Sequence, residues 1–209
     1  MKPTIVDLTM PCSNSTEGFS ISRQQDPPTC LGHACHAWDL SIKSHSGTYF
    51  ESSSHVFRDG RNTDAVPLND LVLPGVCLRV AKPDRCIDAH DLDSVGAGLE
   101  PGSALLIDTM GATDKYFSRT AAAWMARRGV KLMGSNTLRY DSGFENPTGF
   151  FVELFGARIP IVANLVDLHR LPADGFRLVV LPLRISGVCT VPCRVVAILE
   201  RPIVQPHPR

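Results

Sequence analysis

Apolar residues come in short runs along the chain, divided by polar turns. Seven runs read as strands: "TIVDLTM" (4–10), "GVCLRVA" (75–81), "SALLIDTM" (103–110), "VKLMGSN" (130–136), "RIPIVANL" (158–165), "FRLVVLPLRI" (176–185) and "CRVVAIL" (193–199). They are rich in Val, Ile and Leu, and several are apolar at consecutive positions, as strands covered on both faces are. Two stretches carry helix signals instead. "SRTAAAWMARRG" (118–129) has Ser118 to cap its start, an Ala-rich body, arginines in the last turn and Gly129 to stop it. "NPTGFFVELFG" (146–156) enters on Asn-Pro and ends on Gly156. Each helix leads into a strand, so the pattern predicts αβ units around a mixed sheet. Residues 11–40 show little periodicity and contain a Pro-Pro pair, which predicts a long irregular loop.

One polar stretch stands out against this frame. "HSGTYFESSSH" (45–55) begins and ends on histidine and places a tyrosine and a glutamate between them. Alternate residues of an extended chain face one side, so His45, Tyr49, Glu51 and His55, all odd-numbered, would converge. Such a set suits a metal site, a metal-free acid/base site, or neither.

Composition narrows the field. The 209 residues fit one domain, 44% are hydrophobic and 20% charged, and 21 Lys+Arg balance 21 Asp+Glu. A chain without net charge lacks the basic footprint that nucleic-acid binding needs. There is no signal-peptide pattern at the start and no run long enough to span a bilayer, so a cytoplasmic, soluble protein is expected. In a reducing compartment the seven cysteines are read as thiols, with Cys77, Cys189 and Cys193 packing as small apolar groups.

The order of the elements, together with certain motifs, resembles the cyclase family that includes kynurenine formamidase and isatin hydrolase. The motifs are "IVDLT", "HSGTYFESSSHVFRDG", "PGSALLIDTMG", "RRGVKLMGSNTLRYD" and the C-terminal "IVANLVDLHRLPADGFRLVVLPLRISGVCTVPCRVVAI". The likeness covers nearly the whole chain. It implies a single α/β domain with a mixed, barrel-like sheet flanked by helices, usually a homodimer or higher homo-oligomer. In the family the signature reads His-x-Gly-Thr-His-x-Asp-x-Pro-x-His. Its first two histidines and its aspartate bind a divalent metal, and a helix histidine and a strand glutamate complete the site. Position by position, His45 matches the first ligand, Tyr49 replaces the second and Glu51 replaces the aspartate. Phe151 and Ala163 stand where the later histidine and glutamate belong, while the last signature histidine, an acid/base group in the family, is retained as His55.

Phenylalanine and alanine cannot ligate, and a tyrosine does so only as phenolate. The expectation is therefore an enzyme without metal or other cofactor, in which His55, Tyr49, Glu51 and His45 catalyse acid/base-assisted cyclisation, elimination or rearrangement of an apolar small molecule in specialised metabolism. Two alternatives stay open: a metal-dependent hydrolase of an amide or cyclic amide, with Tyr49 and Glu51 as unusual ligands, and a non-catalytic small-molecule-binding protein. Cys30, His33, Cys35 and His36 bear zinc-binding groups, but their spacing matches no common zinc module. They are read as part of a lid formed by 11–40; Trp38, His33 and His36 from this lid, together with Phe50 and Phe151, are the expected substrate contacts.

Overall fold

A computed structural model describes residues 3–25, 28–96, 98–143 and 145–200. In chain order the strands and helices are β1 (Thr4–Asp7), β2 (Phe19–Arg23), β3 (Thr29–Cys30), β4 (His33–Ala34), β5 (Trp38–Ile42), β6 (Tyr49–Glu51), β7 (Val72–Arg79), β8 (Cys86–Ile87), α1 (Ala89–Val95), β9 (Ala104–Asp108), β10 (Tyr116–Phe117), α2 (Arg119–Arg127), β11 (Leu132–Ser135), α3 (Phe150–Gly156), β12 (Ile161–Ala163), β13 (Phe176–Pro182) and β14 (Thr190–Leu199). The expected ends of the domain, at 1–2 and 201–209, lie outside the described residues.

The large sheet runs β1-β14-β13-β7-β9-β11-β12-β6, and β6 pairs again with β14. That last pairing closes seven strands into a mixed barrel, with β1 alongside β14. The four strands β7, β9, β11 and β12 are parallel neighbours, and the other pairings are antiparallel. β14 is ten residues long. This length lets its first residues hold β6 while its last ones hold β1.

Alternation along each strand builds two apolar layers. On β9, Ala104 and Leu106 join one cluster with Phe50, Leu132, Val162, Phe176, Leu178 and Val195. Leu105 and Ile107 join the other, under the helices, with Trp124, Met125, Phe150 and Leu154. All seven predicted strands are present; β7 and β14 start three residues earlier than expected, and the other five are shorter. α2 starts where expected, with the Ser118 hydroxyl accepting from Ala121 N at 3.2 Å. α3 starts later than the Asn-Pro pair suggests. Gly149 is its N-cap residue at φ 80°, a left-handed conformation open to glycine. α1, a short helix that the apolar pattern does not show, is started by Asp88 in a capping box with Asp91.

Residues 11–40 are not the irregular loop the composition implies. β2 pairs with β5, and β3 with β4, as two antiparallel hairpins. β2 reads Phe-Ser-Ile-Ser-Arg and β5 Trp-Asp-Leu-Ser-Ile, so both alternate apolar and polar residues, and it is their shortness and exposure that set them apart from the apolar runs of the barrel.

Candidate active site

β6 lies between β12 and β14, and its three residues alternate across the barrel wall. Phe50 points into the fully buried core. Tyr49 and Glu51 point the other way, into a cleft of about 450 Å³. Just after β6 the chain turns through a 3-10 turn at Ser53–His55. That turn is tight because Gly60 folds back on it: a Cβ at Gly60 would lie 2.5 Å from the Ser53 carbonyl. The turn brings His55 back over Glu51, four residues earlier, and the bend before β6 brings His45 to the same carboxylate.

Glu51 is the hub. Its Oε1 is 3.1 Å from His45 Nε2 and 2.9 Å from His55 Nδ1, and it accepts from the Thr190 hydroxyl at 3.1 Å. Thr190 sits opposite Glu51 in the β14–β6 register, on the same face. His45 is held at both nitrogens, since its Nδ1 lies 3.0 Å from Ser44 Oγ. His55 is held differently. Its Nδ1 faces Glu51, with Cys189 Sγ at 3.8 Å, which leaves Nε2 as the nitrogen not engaged by the carboxylate. The His45 and His55 rings meet edge to face at 5.6 Å, and His45 packs on Tyr49 at 5.1 Å.

The electrostatics follow from this arrangement. Burial pushes the Glu51 carboxyl up, but hydrogen bonds and positive charge from His45 and His55 outweigh it and bring the group down to about 2. The hydrogen bond to Glu51 raises His55 to about 9, against a smaller opposing effect of burial. Near neutral pH the pair is thus carboxylate and imidazolium. Burial, then the neighbouring Glu51 charge, holds the Tyr49 phenol far above its ordinary range, so it is a neutral donor.

The cleft walls are chiefly apolar. Phe151 stacks on Phe155 at 5.4 Å and lies 6.1 Å from His55, and Tyr140, Leu138 and Pro147 continue the wall. Arg139 and Asp141 stand on the same side. Asp141 accepts from Ser142 N and from the backbone and hydroxyl of Thr148, which fixes the loop leading to α3.

The structure therefore gathers His45, Tyr49, Glu51, His55 and Phe151 into one cleft. It does not bring the other expected contacts there. Phe50 fails by the parity that aims Tyr49 and Glu51, because an even-numbered neighbour must face the core. Trp38, His33 and His36 lie on or beside the 19–42 hairpins, and none lines the cleft. Trp38 is exposed, and His36 Nδ1 lies 2.7 Å from an Arg23 amino group. Among the described residues, Cys30, His33, Cys35 and His36 do not form a metal-holding group, whereas the ligand atoms of His45, Glu51 and His55 lie within 4.8 Å of one another. Thr190, Cys189, Tyr140 and Arg139 are site residues that the sequence reading left out. Cys189, expected to pack as a small apolar group, lies against His55, its Sγ 3.8 Å from Nδ1.

With this geometry in view, comparison with known proteins is informative. Residues 6–142 match the Cyclase family, described as putative cyclase. Kynurenine formamidase of Bacillus mycoides (strain KBAB4) is 26% identical over 171 residues, 75% of this chain and 77% of that protein. Isatin hydrolase A from Labrenzia aggregata, solved with benzyl benzoate bound, superposes with a TM-score of 0.82 at 21% identity, covering 95% of this chain and 94% of that one. Isatin hydrolase A from Ralstonia solanacearum gives a TM-score of 0.80 at 20% identity, over 95% and 92%.

Proposed function

The chain belongs to the Cyclase family, and from that premise we propose a metal-independent enzyme that uses a Glu51–His55 pair for acid/base chemistry on an apolar small molecule. The observation that carries this reading is the shared contact on Glu51 Oε1. His55 presents its Nδ1 side to the carboxylate at 2.9 Å, so a proton donated to substrate leaves from Nε2. Glu51 stabilises the imidazolium and fixes the ring. Tyr49, a neutral phenol lining the same cleft, is suited to donate a hydrogen bond to a developing oxyanion. Phe151, Tyr140 and Leu138 hold the apolar body of the substrate and exclude water. Protonation of a departing oxygen from His55 Nε2 leaves a neutral imidazole, which takes up the proton released from substrate carbon in an elimination or from the attacking hydroxyl in a ring closure and so returns to its starting state; a role in specialised metabolism is part of this proposal.

The family resemblance implies a divalent metal, and the donor set argues against one. Phe151 and Ala163 offer no ligand atom. Ala163 lies directly opposite Tyr49 in the β12–β6 register, where the small residue leaves space beside the larger ring. Of the five ligand positions that the resemblance implies, only those of His45 and Glu51 keep a histidine or a carboxylate. The hydrolase reading keeps one observation in its favour, the 4.8 Å grouping of His45, Glu51 and His55. Elemental analysis of protein purified without chelator separates the two. We expect well under one zinc or manganese per chain and no gain in turnover on adding either. One tightly held ion per chain, whose removal abolishes hydrolysis of isatin or an N-formyl arylamine, would establish the hydrolase instead.

We also propose that the protein self-associates. Leu181, Leu183 and Ile185, at and just beyond the end of β13, are about half exposed in the single chain, and an apolar strip of this kind is usually covered. Light scattering at micromolar concentration should give at least twice 22.8 kDa; a monomer mass would refute it.

A further inference from the structure

The parallel strands β7, β9, β11 and β12 lie side by side, so their carboxyl ends fall along one rim. Arg79 and Asp108 are the last residues of β7 and β9, and Asn136 and Asn164 directly follow β11 and β12. A cavity of about 510 Å³ opens there. Asp108, Asn136 and Asn164 are among its polar residues, with Thr113, Asp167 and His169, and Met10, Met110 and Leu138 are among its apolar ones. In open parallel sheets and in barrels, this carboxyl edge is where small ligands bind.

Two buried acceptors at this rim have no hydrogen-bond partner: Asp108 Oδ2 and Asn164 Oδ1. The Asp108 side chain is only 4% exposed. Its other oxygen accepts from Met110 N at 2.9 Å and faces Asn136 Nδ2 at 3.4 Å. The nearest cation, Arg79, keeps its Nε 4.0 Å from Oδ2, beyond hydrogen-bond range, and spends an amino group on the carbonyls of His169 and Leu171. Buried acceptors are nearly always satisfied, so two in one cavity point to missing donors. The backbone is unusual in the same place. Met110, Asn164 and Asp167, three cavity residues, hold φ of 54°, 56° and 58°, in the left-handed region that methionine seldom adopts.

We propose that this cavity is a second ligand site, which takes a small organic cation, a primary ammonium or amidinium, on an apolar body. The N–H groups of such a ligand satisfy Asp108 and Asn164, while Met10, Met110 and Leu138 cover its hydrocarbon. A carboxylate or phosphate ligand would bring more acceptors to a place that already lacks donors. The site is distinct from the Glu51 cleft but borders it. Leu138 lines both. Asn164 also donates to the Gly47 carbonyl at 2.9 Å, and Thr48 donates to the Asn164 carbonyl at 2.7 Å, so the new site lies against the segment that carries His45 and Tyr49.

Methionine methyl groups report on it directly. Met10 and Met110 line the cavity, whereas Met125 and Met133 are fully buried in the core and serve as internal controls. In ¹³C-methyl-methionine NMR of the full chain, benzylamine should shift the Met10 and Met110 signals saturably and leave Met125 and Met133 in place. Benzyl alcohol, which has the same body without the charge, should bind at least about 10-fold more weakly. Asp108→Asn should weaken benzylamine binding by a similar factor. If that variant loses its native Met125 and Met133 signals, the comparison of amine with alcohol in the unaltered protein decides. Absence of a saturable shift, equal responses to amine and alcohol, or undiminished binding by a folded Asp108→Asn would each overturn the proposal.

Discussion

His55→Ala is expected to lower turnover by about 10²–10⁴-fold, the contribution of a positioned general acid or base, or roughly 3–5 kcal/mol of barrier. His55 is the one histidine of the cleft with a ring nitrogen that its anchoring partners leave over. His45 has both nitrogens engaged, by Glu51 and by Ser44, and so serves to position the carboxylate. The His55 ring is partly exposed and ends a surface turn, so its removal should leave the fold intact. His55→Gln keeps polarity but cannot carry the proton, and should not rescue turnover. A steady-state assay checks this. In the unaltered enzyme kcat should hold through neutral pH and fall as pH rises past about 9, where the imidazolium is lost. Retention of most activity in His55→Ala, with loss on reshaping the wall at Phe151, would mean instead that the protein works by holding its substrate in a reactive conformation.

Glu51→Gln should change both the pH profile and the stability. Without the carboxylate, the largest influence raising His55 is gone, and the alkaline fall in activity should move from about 9 toward the ordinary histidine value of 6.5. Turnover near pH 8 then drops because most of the enzyme is in the wrong protonation state. For stability, His55 is raised on folding, so its contribution is complete below about 6.5 and disappears as pH climbs from there through about 9. Glu51 is lowered on folding, so its contribution is complete above about 4.5 and disappears as pH falls toward about 2. The two shifts share the Glu51–His55 contact, although Glu51 is also lowered by His45, and they are not to be summed. Thermal melts of the unaltered protein should therefore be highest between about pH 4.5 and 6.5 and decline on both sides, whereas those of Glu51→Gln should be lower at the plateau and flatter. A Glu51→Gln profile that keeps both the alkaline limb near 9 and the same melting curve would show that the carboxylate does not govern His55.

The barrel was readable because its strands carry Val, Ile and Leu in short runs: β9 is buried at every position, while β13 and β14 keep apolar residues even where they alternate with less buried positions. The core of the site was readable for a local reason: alternation along β6 puts Tyr49 and Glu51 on one face. Parity explains less for the flanks. His45 precedes the strand and His55 ends a 3-10 turn, so it is the turn, folded back by Gly60, that delivers His55 to Glu51. Residues reached only through long-range pairing stayed hidden. Thr190 meets Glu51 across 139 positions, a relation that no local pattern encodes. Trp38, His33 and His36 show the converse, because membership of a polar loop says nothing about the direction in which that loop leaves the barrel.

The most direct test of a metal-free Glu51–His55 pair is a histidine NMR titration of the purified protein, run with and without equimolar Zn²⁺ and assigned with His55→Gln. His55 is expected to titrate near 9, with zinc altering neither its pKa nor its ring signals. An ordinary value near 6.5, or stoichiometric zinc binding that stops both His45 and His55 from titrating, would contradict the metal-free pair.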